Sequence, residues 1–98
     1  MPHYVVLFDW TDQGVRIARY TVERVGSSTG LAQYKYGVTI GQVYWTVGAH
    51  DLVGFMEAPD VESLSAFLLE LGSAGNVRST TMRAFDRDEM SQILGRVG

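Results

Sequence analysis

The chain has 98 residues, a net charge of −3, a pI near 5.2 and no cysteine, so its length fits a single domain over residues 1–98 with one core. Its eight Lys and Arg residues are dispersed, which argues against nucleic acid or a membrane as a partner, and the lack of cysteine excludes disulfides and thiol chemistry. No apolar run reaches the ~18 residues of a membrane span, and the first residues lack the pattern of a signal peptide, so we expect a soluble cytoplasmic protein.

The first two predicted elements are a strand and a broken helix. The run from Tyr4 to Trp10 is short, aromatic and apolar on both alternating faces, which favours a central strand. Thr11 is suited to cap the helix that follows. We predict that this helix extends to Tyr36 with a break near Tyr20. Gly26 and Gly30 each cost about 1 kcal/mol relative to Ala in a helix, so the alternative is a frayed middle over residues 26–30.

The middle of the chain is predicted to form a hairpin. Gly37 ends the helix, and β-forming residues from Val38 to Val47 and from Leu52 to Ala58 flank a tight corner. We expect Thr46 to pair with Asp51 in this hairpin. One face then carries Val43, Trp45, Leu52, Gly54 and Met56, and the other carries Tyr44, Thr46, Asp51, Val53 and Phe55. A slip of one residue would exchange the two sets.

A helix, a strand and a short helix complete the chain. Asp60 is placed to cap a helix that ends near Gly72, and residues 76–85 alternate as a fourth strand. Asp86 and Glu89 have capping-box spacing for a C-terminal helix. The order β-α-β-β-α-β predicts an α+β, ferredoxin-like fold with a four-stranded antiparallel sheet and both main helices on one face. The apolar character of the other face predicts a homodimer or higher homo-oligomer.

Four segments of the sequence are distinctive together: Tyr4 to Gly14, Val47 to Val53, Glu57 to Asp60 and Leu71 to Phe85. With these segments the chain resembles the GYD-domain proteins, small ferredoxin-like proteins of the dimeric α/β-barrel type. The family's naming motif has Gly, a spacer, Tyr and Asp, and this chain has His50 where the motif has Tyr. The resemblance implies the fold and the dimeric barrel, without a general biochemical role.

Two aromatic residues and the corner between the second and third strands are candidate site features. His50 beside Asp51 is a candidate acid/base, because imidazole titrates near neutral pH. Adjacent strand residues point to opposite faces, however, so the alternative is a turn histidine with local hydrogen bonds. Asp51 would then fix the corner by accepting backbone N–H bonds. Trp10 and Trp45 are candidate walls for a flat aromatic ligand, or alternatively core or interface anchors.

Three further candidates lie on the second and fourth strands. Thr81 and Arg83 are expected to share the open face of the sheet with Tyr44, where the Arg83 guanidinium would hold a carboxylate. The alternative is a structural ion pair between Arg83 and one of three acids, Asp9, Asp51 or Glu57. The sequence has neither a recognised metal-ligand spacing nor a glycine-rich phosphate loop, so we expect no metal and no cofactor.

The leading functional hypothesis is a homo-oligomeric binding or accessory module with an apolar cavity that accepts a small organic molecule. The alternative is a small cofactor-independent enzyme of the oxygenase, isomerase or cyclase type, acting on an aromatic or polyketide-like substrate. In that enzyme His50 would be the acid/base and Arg83 the anion holder. A third hypothesis is a structural assembly subunit. A cavity of a few hundred Å³ that reaches His50 would favour the binder or the enzyme over the assembly subunit.

Overall fold

A four-stranded antiparallel sheet with helices on one face forms the architecture of residues 1–98, which the computed structural model describes in full. The strands lie in the order β2-β3-β1-β4, which confirms the predicted ferredoxin-like class. The elements are β1 (His3–Trp10), α1 (Asp12–Arg16), a 3-10 turn (Ala18–Tyr20), α2 (Thr21–Leu31), a π-helical turn (Ala32–Tyr36), β2 (Thr39–Trp45), β3 (Leu52–Glu57), α3 (Val61–Ser73), β4 (Val77–Ala84) and α4 (Arg87–Leu94).

Strand β1 is the central strand that its two apolar faces predict. It pairs antiparallel with β3 on one side and with β4 on the other. Tyr4, Val6 and Phe8 are buried against the helices, whereas Val5 and Leu7, on the opposite face, are half-buried. The helix-covered core consists of Tyr4, Val6, Phe8, Ala32, Val38, Leu52, Met56, Ala58, Leu64 and Phe67.

The first helical region breaks where it was predicted to break, and it is helical over residues 26–30, where fraying was the alternative. The Thr11 hydroxyl oxygen accepts a 3.0 Å hydrogen bond from the Gly14 N–H, which caps α1. Helix α2 then runs without interruption through Gly26 and Gly30. Fraying is absent because both glycines lie on the exposed side, while the opposite side packs through Val25 and other half-buried residues.

The β2–β3 hairpin has the predicted register but is shorter than predicted. Trp45 pairs with Leu52, and the backbone N–H of Thr46 donates to the Asp51 carbonyl at 2.8 Å. The register shifts between Ile40 and Val43, where two β2 residues oppose one residue of β3. The alternating pattern carries no signal for this bulge.

The second half of the chain has the predicted caps. The Asp60 side chain accepts from the Ser63 N–H at 2.7 Å, and Leu64 and Phe67 of α3 are fully buried. Asp86 and Glu89 form both hydrogen bonds of the capping box at the start of α4. None of the helices has the length and apolar character needed to cross a bilayer.

The face of the sheet without helices carries an apolar patch, which we call the open sheet face. Cross-strand partners point to the same side of a sheet, and the pairs Val5–Phe55, Leu7–Val53 and Tyr44–Val53 place these side chains together on this side. The Tyr44 and Phe55 rings meet edge-on with centroids 6.3 Å apart. The open sheet face consists of Val5, Leu7, Tyr44, Val53, Phe55 and Met82.

Candidate functional site

A cavity of about 420 Å³ lies between the sheet and the helices. This volume is in the range that small-molecule sites usually have. The sheet contributes an apolar wall, and α2 contributes Val25, Ser28 and Leu31. The wall formed by the sheet consists of Phe8, Trp10, Ile40, Val43, Leu52 and Met56.

One end of the cavity is polar and is formed by three elements that are distant in sequence. Arg24 of α2 and Asn76, which precedes β4, both line the cavity. The Asn76 side-chain oxygen lies 2.9 Å from Gln13 Nε2, and the Asn76 amide also contacts the Arg24 guanidinium. Gly14 is buried against the Asn76 backbone, which keeps α1 close to this end.

A second polar group lines the cavity where α3 meets the π-helical turn. Glu70 accepts hydrogen bonds from Lys35 Nζ at 2.6 Å and from the Tyr36 hydroxyl at 2.7 Å. The hydrogen bonds from Lys35 and from Tyr36 lower the pKa of Glu70. The hydrogen bond to Glu70 raises the pKa of Lys35 and also that of Tyr36. Glu70 is therefore an ionised carboxylate that already has its partners at neutral pH.

The corner that contains His50 lies outside this cavity, and its two candidate residues, His50 and Asp51, contact different partners. His50 Nδ1 lies 3.1 Å from a carboxylate oxygen of Asp9. The Asp51 side chain accepts a 2.9 Å hydrogen bond from the backbone N–H of Trp10. The hydrogen bond to Trp10 ties the corner to the end of β1. His50 does not line the cavity, so the cavity does not reach the residue proposed as acid/base.

The remaining aromatic candidate, Trp45, lies at the edge of the cavity rather than in its wall. Its indole N–H donates to the Thr21 hydroxyl at 3.0 Å, and Thr21 lines the cavity. Trp10 is the one candidate from the sequence that contacts the cavity directly.

The prediction that Thr81 and Arg83 share a face with Tyr44 is wrong. Arg83 pairs with Tyr4 and Thr81 with Val6, so both point to the helix-covered side, whereas Tyr44 belongs to the open sheet face. The prediction failed because the edge strand β4 is exposed on both faces, so its alternation does not distinguish inside from outside. The ion-pair partner of Arg83 is Glu89, at 3.1 Å, and not any of the three acids expected.

One cluster of side chains has ligand atoms close enough to hold a metal ion. His3, Asp86 and Glu89 each place one such atom within 4.8 Å of the others. The capping box and the ion pair with Arg83 use both Glu89 oxygens and one oxygen of Asp86. The carboxylates of this cluster therefore already have a structural role.

The family of this chain follows from its match to a protein-family model. The model of the GYD domain matches residues 4–94. The chain belongs to the GYD family. It is similar to a protein from Thermus thermophilus named glutamine synthetase and cystathionine beta-lyase binding protein. The two are 30% identical over 84 residues, which cover 86% of this chain and 88% of the relative.

A solved structure supports the fold of this GYD protein. The crystal structure of MtbAldR superposes with a TM-score of 0.67 and 18% sequence identity, over 88% of this chain. This chain spans about half of MtbAldR, since the match covers 52% of that protein. At this identity the likeness concerns the fold alone.

The polar end of the cavity in this GYD protein could not be found from its sequence. Gln13, Arg24 and Asn76 come from α1, α2 and the segment before β4, and no sequence spacing connects them. Asn76, the residue before β4, is the one buried polar residue among them, and its burial is visible only in the structure. A buried amide needs polar partners, but the sequence does not say which ones.

Proposed function

We propose that this GYD protein is a homo-oligomeric module that binds a small organic molecule in the cavity between its sheet and its helices. The single observation that carries the proposal is the cavity of about 420 Å³ with its apolar wall and one polar end. A cavity of this size with few polar groups is the usual form of a ligand site. The Thermus relative is named for binding two enzymes, so its name concerns protein partners and not a small molecule.

The open sheet face supports the oligomeric part of the proposal. Phe55 and Met82 at its centre are about half exposed, at 44% and 45%. The face ends in polar pairs, His3 with Glu57 at 3.3 Å and His50 with Asp9 at 3.1 Å. An apolar centre with a polar rim is the usual composition of a protein interface, and a second copy of the same chain is the simplest occupant.

The structure gives less support to the enzyme hypothesis than to the binding module. His50 and Arg83 would have to act on one substrate, but they lie at separate places. His50 is paired with Asp9 at the hairpin corner, and Arg83 is paired with Glu89 at the start of α4. Neither residue lines the cavity.

A cavity-filling substitution tests the binding function. Ser28→Phe places an aromatic ring in the cavity from α2, whereas Ser65→Phe adds the same ring on the exposed side of α3. The neutral fluorescent probe N-phenyl-1-naphthylamine should bind wild type and the Ser65→Phe variant in a saturable way. It should lose at least about tenfold in affinity for Ser28→Phe, because an aromatic side chain removes much of the apolar volume.

Two results would contradict the binding function. Wild type without saturable fluorescence enhancement would mean that the cavity takes no apolar ligand. Equal affinities of the two variants would place the probe elsewhere, for example on the open sheet face. Circular dichroism of both variants checks that neither substitution unfolds the chain.

A further inference from the structure

Arg24 is the only cationic side chain that lines the cavity. It is half-buried on α2, and none of the four ion pairs of the chain includes it. A guanidinium stays charged at any physiological pH. The polar end of the cavity therefore carries a positive charge without a carboxylate partner.

The Asn76 side-chain amide is the neighbour of this guanidinium within the chain. Gln13 Nε2 donates to the Ala74 carbonyl at 3.0 Å and also lies 2.9 Å from the Asn76 side-chain amide. If the Asn76 oxygen faces Gln13, its NH₂ group faces Arg24, and two donors meet. If that oxygen faces Arg24, it accepts from Nη1 and Nη2, and the NH₂ group faces Gln13 Nε2. Because the amide is neutral, the contact of Arg24 with Asn76 leaves the positive charge of Arg24 unpaired in either orientation.

The acidic residues of the cavity do not pair with Arg24. Glu70 is held by Lys35 and Tyr36, so its charge is already balanced. Glu23 lies on the exposed side of α2 and forms no ion pair with Arg24. An anion from outside the chain can therefore pair with the Arg24 guanidinium without displacing a carboxylate of the chain.

We propose that the ligand is an apolar molecule with one carboxylate, bound with the carboxylate at Arg24 and the apolar body along Trp10 and Met56. This inference rests on the proposed function, because it assigns the ligand class of the same cavity. A planar carboxylate matches the two parallel N–H groups of a guanidinium and accepts from both. A phosphate dianion would need more positive charge than a single arginine provides next to Glu23 and Glu70.

A matched pair of ligands distinguishes the effect of the ligand's charge on affinity from the effect of its shape. 2-Naphthoate and 2-naphthamide have the same ring system and nearly the same size, and they differ in the carboxylate. Isothermal titration calorimetry measures both with wild type, Arg24→Gln, Arg24→Lys and Arg87→Gln. Arg87 is an exposed arginine of α4 away from the cavity, so its variant controls for the loss of one positive charge.

Wild type should prefer 2-naphthoate over 2-naphthamide by at least about tenfold, since a hydrogen bond to a charged group has about that effect on affinity. Arg24→Gln should abolish the preference by weakening naphthoate alone, and Arg87→Gln should retain it. Arg24→Lys should retain part of it, because an ammonium keeps the charge but loses the two parallel donors.

The outcomes distinguish this inference from the proposed function. Equal affinities of the two ligands, or an unchanged preference in Arg24→Gln, would overturn the assignment of a carboxylate ligand. The proposal that the cavity binds a small organic molecule would still stand. Saturable binding of N-phenyl-1-naphthylamine without binding of naphthoate would also overturn it. If neither that probe nor either naphthalene bound, both the inference and the proposed function would fall.

Discussion

Gly14 lies at the contact that holds α1 against the segment before β4. A Cβ atom at this position would overlap the carbonyl oxygen of Asn76, which accepts a 3.1 Å hydrogen bond from the Thr11 N–H. Backbone atoms at this crossing cannot move aside without losing that hydrogen bond. The missing side chain of Gly14 therefore sets the distance between α1 and the polar end of the cavity.

Replacing Gly14 with alanine should lower the free energy of unfolding by about 1 to 3 kcal/mol, the usual cost of overpacking. Gly26→Ala is the matched control, because a Cβ atom at Gly26 meets nothing within 4 Å. That variant should raise the free energy of unfolding by up to about 1 kcal/mol, from helix propensity alone. Urea denaturation followed by circular dichroism measures both. A Gly14→Ala variant as stable as wild type would mean that the crossing can open at little cost.

The sequence predicts residue roles well where one local rule applies and poorly where the partner is distant. Thr11, Asp60 and the pair of Asp86 and Glu89 are caps, and each partner lies three residues away. His50 contacts a carboxylate 41 residues earlier in the chain, and no sequence pattern predicts a contact over that separation. Local hydrogen bonds can be predicted from the spacing of residue types along the sequence, whereas tertiary partners depend on strand register.

At the scale of elements, Glu70 ties α3 to the π-helical turn. Lys35 and Tyr36 of this turn donate to the Glu70 carboxylate, and the Tyr36 ring packs against Phe67 of α3 with centroids 5.9 Å apart. The pKa of Glu70 is lowered by these hydrogen bonds. A carboxyl group with a lowered folded-state pKa adds stability above its unfolded pKa, and this stability is lost as the pH falls through the folded pKa.

Glu70→Gln should therefore reduce the acid sensitivity of the fold. Wild type should be more stable than Glu70→Gln at pH 7, and this difference should shrink as the pH falls below the ordinary glutamate pKa of 4.5. Asp60 and Glu89 also have lowered pKa values, but both variants keep them, so the difference isolates Glu70. Urea midpoints at several pH values between 7 and 3 measure it. A difference that stayed constant over this range would assign the effect of Glu70 to packing rather than to its charge.

Element prediction succeeded where apolar residues alternate against a core and failed where they do not. The buried positions of β1 and β3 follow the period of two, so their faces and the hairpin register were predictable. Strand β4 is exposed on both faces, which led to the wrong side for Thr81 and Arg83. The bulge in β2 also escaped prediction, because a bulge leaves no periodic signal.

At the scale of the whole molecule, the fold has one covered face and one open face. The principal axes of the molecule measure 50 × 31 × 19 Å. The main helices and the cavity occupy one side of the sheet, and the open sheet face occupies the other. A contiguous exposed apolar patch often marks an interaction surface, and a second sheet packed against it would produce a two-sheet barrel.

A charge at the centre of the open sheet face should separate the copies. Phe55→Lys would place an ammonium group in a desolvated apolar interface, which should weaken self-association by more than roughly hundredfold. Tyr34→Lys is the matched control, because Tyr34 is 93% exposed on the π-helical turn, on the helical side. Sedimentation velocity at micromolar concentrations should give a dimer or larger assembly for wild type and Tyr34→Lys, and a monomer for Phe55→Lys.

A wild type that sediments as a monomer would leave the open sheet face exposed to water, and an oligomeric Phe55→Lys variant would move the interface to another surface. Because the cavity lies on the opposite side of the sheet, the Phe55→Lys monomer should still bind N-phenyl-1-naphthylamine, which separates the oligomer from the binding site.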